Sequence, residues 1–436
     1  MSYSEAVQYL MSLLGDIRGA NFGLRRIEAL IASLGHPQHS FRVVHVAGTN
    51  GKGSTAAMIE SGLRAAGHST GLYTSPHMIR FNERFKINGQ DASNEQFAAA
   101  VAEVRAANER LAAGDSGEGH ATLFESVTAA AFCSFRNAAV DWGVIEVGLG
   151  GRLDATNVVT PEVAVITPID FDHEAFLGKS EEFIAGEKAG ILKRGSKAVI
   201  APQKLRAAVV LAKRAAELAV PLVQIGDDWR AEGVTHRRGY YRFDAAKRRD
   251  GRGDRLSLQL PLAGEHQVEN ALTAVAALDA LGVAHPAIRQ GIEQARWPGR
   301  LEYFDGQPRI LLDAAHNPAG ARVLARFLEK HHAGAAIHLI YGAVRDKAID
   351  EVADLMFARA DRVILTRSQV SRSVKPEVLR QMVDHLHARI ETAPVVEQAI
   401  ELARAGARPE DLIVIAGSIF LIGEAKEALE AVTAKG

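Results

Sequence analysis

The sequence carries a single cysteine, Cys133, in 436 residues. That excludes an intrachain disulfide framework and a multi-cysteine metal site. Cys133 ends the apolar run Ala129-Ala130-Ala131-Phe132-Cys133 and reads as a buried, inert thiol. Charge of one sign is also missing. Lysine plus arginine number 51 against 52 aspartates and glutamates, so no global field draws the chain to nucleic acid or to an anionic membrane. An anionic ligand must therefore be held by a local cluster. No stretch approaches the ~18–20 apolar residues of a membrane span. The segment Met1 to Ala20 mixes acids and bases with apolar residues and has no signal core, so a soluble, cytoplasmic protein is expected. Internal repeats and low-complexity tracts are absent as well.

What is present is ordinary globular composition, 47% hydrophobic and 24% charged. The chain is longer than the ~250–300 residues at which single cores stop growing, so two domains are expected. Short apolar runs alternate with helical patterns, the signature of an α/β fold with a mostly parallel sheet covered by helices. Strands are predicted near Val43–Ala47, Thr70–Tyr73, Trp142–Val147, Val163–Thr167, Ala198–Ala201 and Pro221–Gln224. Around Arg230–Leu262 the residues alternate beside the charged run Lys247–Asp254, which predicts an antiparallel hairpin at a sheet edge. Ala113–His120 reads as an exposed loop. After Trp297-Pro298-Gly299-Arg300 a second series begins, with strands near Ile310–Leu312, Ala336–Tyr341, Arg362–Leu365 and Leu412–Ala416. The expected domains are 1–296, an ATP-binding domain, and 297–436, a smaller Rossmann-like α/β domain.

The strongest chemical signal lies between Phe41 and Thr55. An apolar strand runs into Gly48-Thr49-Asn50-Gly51-Lys52-Gly53-Ser54 and then a helix rich in Ala, Met and Ile. Glycines let backbone amides turn toward phosphate oxygens, the helix N-terminus adds a favourable dipole, and Lys52 supplies a point charge. Val46 and the intervening Gly53 depart from the commonest phosphate-loop spacing. A nucleotide triphosphate is the expected ligand.

With the later segments beside it, this loop resembles the dihydrofolate synthase/folylpolyglutamate synthase branch of the Mur ligase superfamily. The carriers are Thr74-Ser75-Pro76-His77, Phe124-Glu125, the run Glu146 to Asn157, Asp172-His173, Glu187-Lys188-Ala189-Gly190-Ile191, His266-Gln267 with Asn270, Trp297 to Arg300, Asp313 to Pro318, and Gly417-Ser418. The resemblance implies ATP and two Mg²⁺ ions, with Ser75, Glu146 and His173 as metal residues. It also implies that Lys188, which on pattern alone is a solvated lysine, is carbamylated and helps hold the second ion. Asn270 is placed near the adenine, Arg300 near the phosphates and Asp313 near the ribose, while the pattern alone makes Asp313 a helix-entry residue. His316 is assigned to the glutamate or the reacting centre, and Ser418 to substrate. The folate side falls on Phe22-Gly23, on Thr122, Phe124 and Glu125, and on Leu153, Asp154 and Ala155; Phe22 and Leu153 also read as ordinary core. Asn21, Ala314 and Gly186 depart from the family pattern.

The implied reaction joins L-glutamate to dihydropteroate or to a reduced folate through an acyl phosphate. Lys52, Arg300 and magnesium neutralise charge, and glutamate comes from the second domain. A monomer is implied. Two other readings stay open, another amino-acid ligase of the superfamily and a phosphate-loop nucleotide switch.

Overall fold

The computed structural model describes residues 1–14, 23–113, 120–172, 178, 180–237, 240–248, 255–345 and 347–433. The chain separates into two compact units. The first comprises Met1–Asp170, Leu177–Pro261 and Gln267–Arg296; the second comprises Phe171–Phe176, Leu262–His266 and Trp297–Gly436.

In the first unit the elements run α1 (Tyr3–Ser12), α2 (Arg25–Ser33), β1 (Arg42–Ala47), α3 (Lys52–Ala65), β2 (Thr70–Tyr73), β3 (Phe85–Ile87), β4 (Gln90–Asp91), α4 (Asn94–Ala113), α5 (Leu123–Asn137), β5 (Trp142–Glu146), β6 (Val163–Ile166), α6 (Glu181–Ala189), β7 (Lys197–Ile200), α7 (Leu205–Leu218), β8 (Leu222–Gln224), β9 (Trp229–Arg237), β10 (Tyr240–Lys247), β11 (Arg255–Leu260), α8 (Glu265–Ala280) and α9 (His285–Gln294). Eight strands form one sheet in the order β4-β3-β2-β5-β1-β6-β7-β8. All neighbours from β2 to β8 are parallel, and β3 and β4 add an antiparallel flap. The central strands are apolar on both faces because helices cover both. Phe97, Phe132, Phe135 and Cys133 lie in the core on one side, and burial pushes the Cys133 thiol up to about 12, as expected of an inert thiol.

The alternating segment is more than the expected edge hairpin. β9, β10 and β11 make a separate three-stranded antiparallel sheet. Its inward residues Trp229, Tyr241, Phe243, Leu256 and Leu258 are buried, so the alternation marks a second small sheet with one apolar face. The predicted exposed loop 113–120 falls on residues 114–119, outside the described residues; Ala113 itself ends α4.

The second unit continues with β12 (Glu302–Phe304), β13 (Arg309–Asp313), α10 (Pro318–His331), β14 (Ile337–Tyr341), α11 (Ile349–Phe357), β15 (Arg362–Leu365), α12 (Pro376–Val383), β16 (Ile390–Thr392), α13 (Val396–Gly406), β17 (Leu412–Ala416) and α14 (Ile419–Thr433). Its six strands lie in the order β12-β13-β17-β14-β15-β16, parallel apart from β12. The α/β fold class is thus as expected. The edge strands β12 and β16 are short and half-polar, which is why no apolar run announced them.

Candidate functional site

Open parallel sheets bind ligands beyond the carboxyl ends of their strands, where the strand order reverses. In the first unit that point is β1, flanked by β5 and β6. The register sets Val46 opposite Glu146 and Ala47 opposite Ile166, so the loop after β1, the Glu146 carboxylate and the turn after β6 share one edge.

The loop after β1 is tied down by its neighbours. The Thr49 and Asn50 amides donate to the Pro168 carbonyl at 3.0 and 3.4 Å, and the Thr49 hydroxyl donates to the Asp170 carbonyl at 2.9 Å. Gly51 caps α3 at φ +84°, a left-handed conformation that favours glycine, and the Lys52 ammonium folds back on the Thr49 carbonyl at 3.1 Å. The amides of Lys52, Gly53 and Ser54 form the first turn of a 14-residue helix and have no intrahelical acceptor. The loop therefore presents an ammonium and a row of N–H donors, the requirement of a polyphosphate.

Three groups sit close around it. Asn270, expected near an adenine, packs on the loop: a Cβ on Gly51 would fall 2.3 Å from its Oδ1. Asn270 donates to Gln267 at 3.0 Å, and Gln267 donates to the Ser54 hydroxyl at 3.2 Å. Lys188 is 3% exposed and its Nζ donates to the Gly48 carbonyl at 2.7 Å, which corrects the solvated-lysine reading. Helical spacing could not show this, because the acceptor lies 140 positions away in the chain and the turn at Gly151 packs closely on the helix backbone, where a Cβ would meet the Glu187 carbonyl at 2.6 Å. Glu146 is 4% exposed and accepts from the Ser75 amide at 3.1 Å, so two of the expected metal residues are adjacent.

The residues expected at the folate side have local tasks. Thr122 and Glu125 form the capping box of α5, and Glu125 Oε2 also accepts from Arg26 at 3.2 Å. Asp154 is buried, with one oxygen accepting from the Leu149 amide at 2.8 Å and the other from the Thr156 amide and hydroxyl. Its carboxylate holds the turn together. Ala155 is buried, Leu153 is half-buried, and half-buried Phe124 lies under Gly148, where a Cβ would meet its ring at 2.2 Å. Gly23 precedes α2; Asn21, Phe22 and His173 lie outside the described residues.

In the second unit the carboxyl ends of β13, β17 and β14 adjoin, with Asp313 opposite Ala416 and Ala416 opposite Tyr341. Both Asp313 oxygens accept backbone amides, from Leu301 and Ala315 at 2.9 Å each. It braces the loop, and the helix-entry role belongs to Asn317, which caps α10 ahead of Pro318. Burial raises the Asp313 pKa despite the opposing charge of Arg300. Arg300 is half-buried and donates to the Gly299 carbonyl, and Ser418 is buried one residue before α14. His316 Nδ1 donates to the Ala314 carbonyl at 2.9 Å, which leaves Nε2 as the acceptor in the neutral ring. Nε2 stands 3.8 Å from Asp172. Asp172 also accepts from Lys347 at 2.8 Å and from Asn317 at 3.1 Å. Sequence reasoning assigned neither Lys347 nor Asp172 a role. Lys347 sits in the charged stretch Arg345–Asp350, where nothing distinguishes it from a solvated lysine.

The Mur ligase middle domain matches residues 46–278, and the Mur ligase, glutamate ligase domain matches residues 299–419. The dihydrofolate synthase/folylpolyglutamate synthase of Bacillus subtilis is 34% identical over 94% of this chain and 96% of its own length. The chain belongs to the dihydrofolate synthase/folylpolyglutamate synthase family. A Haloferax volcanii relative, a probable bifunctional folylpolyglutamate synthase/dihydropteroate synthase, is 34% identical over 98% of this chain, which spans 50% of that relative's length. Folylpolyglutamate synthase of Mycobacterium tuberculosis, complexed with ADP, superposes with a TM-score of 0.91 at 32% identity, covering 98% of each chain.

For a member of this family the donors of the first unit fit magnesium. Among the described residues no group of three or more His, Cys, Asp or Glu could hold a metal by itself. Mg²⁺ keeps several waters and takes one or two carboxylates with substrate phosphates, and buried Glu146 beside the phosphate loop is such a donor. No helix among the described residues is long and apolar enough to cross a membrane.

Proposed function

We propose that this member of the family ligates L-glutamate, with ATP consumption, to dihydropteroate, to the γ-carboxylate of folylpolyglutamates, or to both, through an acyl phosphate. The observation that carries this reading is the braced loop Gly48–Ser54, whose amides and Lys52 ammonium suit a triphosphate. Its bulk charge balance offers no other way to hold so anionic a ligand.

In this reading Lys52 and the first turn of α3 bind the phosphates and draw electron density from the transferring phosphoryl group. Ser75, Glu146, His173 and Lys188 would hold two Mg²⁺ ions, which supply Lewis-acid neutralisation when bound. Carbamylation of Lys188, whose buried side chain lies against the Gly48 carbonyl, is part of the proposal. Residues 1–296 act as the ATP-binding domain, with folate contacts from Phe22, Gly23, Thr122, Phe124, Glu125, Leu153, Asp154 and Ala155. Residues 297–436 act on glutamate: Arg300 contributes charge, Ser418 binds substrate, and His316 Nε2 is placed by its Nδ1 bond to accept a proton from the attacking amine. The enzyme works in the cytoplasm as a monomer.

The test is ATP-dependent incorporation of labelled glutamate with dihydropteroate, with tetrahydrofolate and with no acceptor. Incorporation with both acceptors establishes a bifunctional enzyme, and with one alone restricts it to that step. ATP binding without incorporation overturns the reading.

A further inference from the structure

A cavity lies within the second unit, at the carboxyl ends of β14, β15 and β16. It measures about 440 Å³, within the range of small-molecule sites, and Arg345, Arg367, Gln369, Ser373, Lys375 and Pro394 are among its walls. Three cations thus line one concavity, and among the described residues no carboxylate lines it. Among the described residues none of the three forms an ion pair, although paired cations abound elsewhere in the unit, as in Arg362–Glu391 and Lys426–Glu302. Like charges repel at close quarters, so an unpaired trio is held at a cost that a polyanion removes.

The loops that carry these cations are fixed. Val344 bridges Ser373, the Arg345 amide donates to the Arg372 carbonyl at 3.2 Å, and the Ser368 and Ser373 hydroxyls meet at 2.6 Å. The Gln369 amide donates to Glu424 at 2.6 Å. The cation heads are exposed, however, unlike the Asp172–Lys347 pair, whose side chains are 13% and 9% exposed. A reacting amino acid must be desolvated and held near attack distance, which buried groups do and exposed ones do not. A long, solvated, multiply charged chain needs only screened attraction at several points.

We infer that Arg345, Arg367 and Lys375 bind the carboxylates of the oligo-γ-glutamyl tail already carried by the acceptor, an inference that rests on the ligase reading above. Each γ-glutamyl residue leaves one free α-carboxylate, so a tail of three presents a row of anions to three cations.

The probe is the free peptide γ-Glu-γ-Glu-Glu, titrated calorimetrically into the full chain at low and at 0.3 M salt. Binding to the wild type that weakens at least tenfold in R367E/K375E, and with salt, supports the site. The milder Arg345→Gln, checked by its melting temperature, guards against a folding defect and should weaken binding severalfold. In turnover, the KM for a triglutamyl acceptor relative to that for a monoglutamyl acceptor should rise about tenfold in R367E/K375E. No peptide binding to the wild type, equal binding to the variants, or equal competition by inorganic phosphate would overturn the inference. So would a rise in the KM for glutamate with the acceptor ratio unchanged. Absence of ligation with every acceptor would sink the ligase reading instead, and the calorimetric arm keeps the two failures apart.

Discussion

The Lys188 ammonium donates to the carbonyl of Gly48, the first residue of the phosphate loop, at 2.7 Å. A buried lysine costs stability unless its partners compensate, which makes it a candidate functional group. Lys188→Met should lower the melting temperature, since it takes the donor from the buried Gly48 carbonyl. Ligation should fall by roughly 10²–10³-fold, the loss seen when a preorganised electrostatic group is removed. Near-normal ligation in that variant would reduce Lys188 to a structural residue. Native mass measurement in carbonate buffer reads carbamylation separately.

A second prediction concerns the approach of the loop to its neighbour strand. Gly48 has φ +149°, and a Cβ there would lie 1.8 Å from the Thr167 hydroxyl. Gly48→Ala must push the loop away from Thr167, so the KM for ATP should rise about tenfold or more, with roughly 1–3 kcal/mol lost from stability by overpacking. Adding Thr167→Ala removes the nearest clashing atom and should recover part of the loss. Kinetics and denaturant unfolding of the single and double variants check both statements.

Two glycines test packing directly. A Cβ on Gly291 of α9 would sit 2.3 Å from Gly62 Cα of α3, a backbone atom that cannot step aside, whereas Gly186 on α6 has nothing within 4 Å. Gly291→Ala should destabilise by about 1–3 kcal/mol. Gly186→Ala, an exposed helix-interior site, should stabilise by about 0.5–1 kcal/mol. Urea midpoints moving in opposite directions is the expected outcome.

These cases show what was legible in the chain. The inner strands of the two large sheets were readable because continuous apolar runs mark strands covered on both faces, whereas the short strands β3, β4, β12 and β16 were not; the loop at Gly48 was readable because its chemistry is local. Lys188, Asp172 and Lys347 were not, since each draws its meaning from partners distant in sequence. Thr122, Glu125 and Asp154 have local roles that the family motifs did not announce. They stand in motifs of the family, yet each is consumed by a hydrogen bond within five residues that shapes the backbone of the motif. The small sheet β9–β11 was half-read, because Trp229–Arg237 is exposed along most of its length and lacks a clear alternation.

Stability should depend on pH through buried histidines. Burial, aided by the charge of Lys193, pushes His45 down to about 3, and burial beside Arg84 does the same for His77. In the unfolded chain a histidine titrates near 6.5. The depressed folded pKa means that the unfolded state binds more protons between these values. Stability that is complete above about pH 6.5 is therefore lost progressively as pH falls toward 3. Raised carboxyls such as Asp154 and Asp313 act in the opposite sense, so the test is a difference. His45→Gln should show a shallower decline in unfolding free energy from pH 7 to pH 5 than the wild type. Parallel curves would mean that His45 does not titrate between the two states.

The pair Asp172–Lys347 supports the last prediction. The two side chains are 13% and 9% exposed and 2.8 Å apart, and Asp172 also accepts from Asn317. Removing one member takes a partner from a charge that is largely shielded from water. Asp172→Asn and Lys347→Met should each cost stability toward the lower end of the ~3–5 kcal/mol typical of a broken buried pair, because some solvent remains. The double variant should cost less than the sum, by a coupling within the ~0.5–3 kcal/mol of groups in direct contact. Asn317, which caps α10, would lose its amide's acceptor in the Asp172 variant only if the new carboxamide turned its nitrogen inward. His316 would lose its carboxylate neighbour in the same variant, so the ligation rate should fall further for Asp172→Asn than stability alone explains. Additive stabilities in the double-mutant cycle would mean that solvent already screens the pair. A ligation rate that tracks only the folded fraction would remove Asp172 from the positioning of His316.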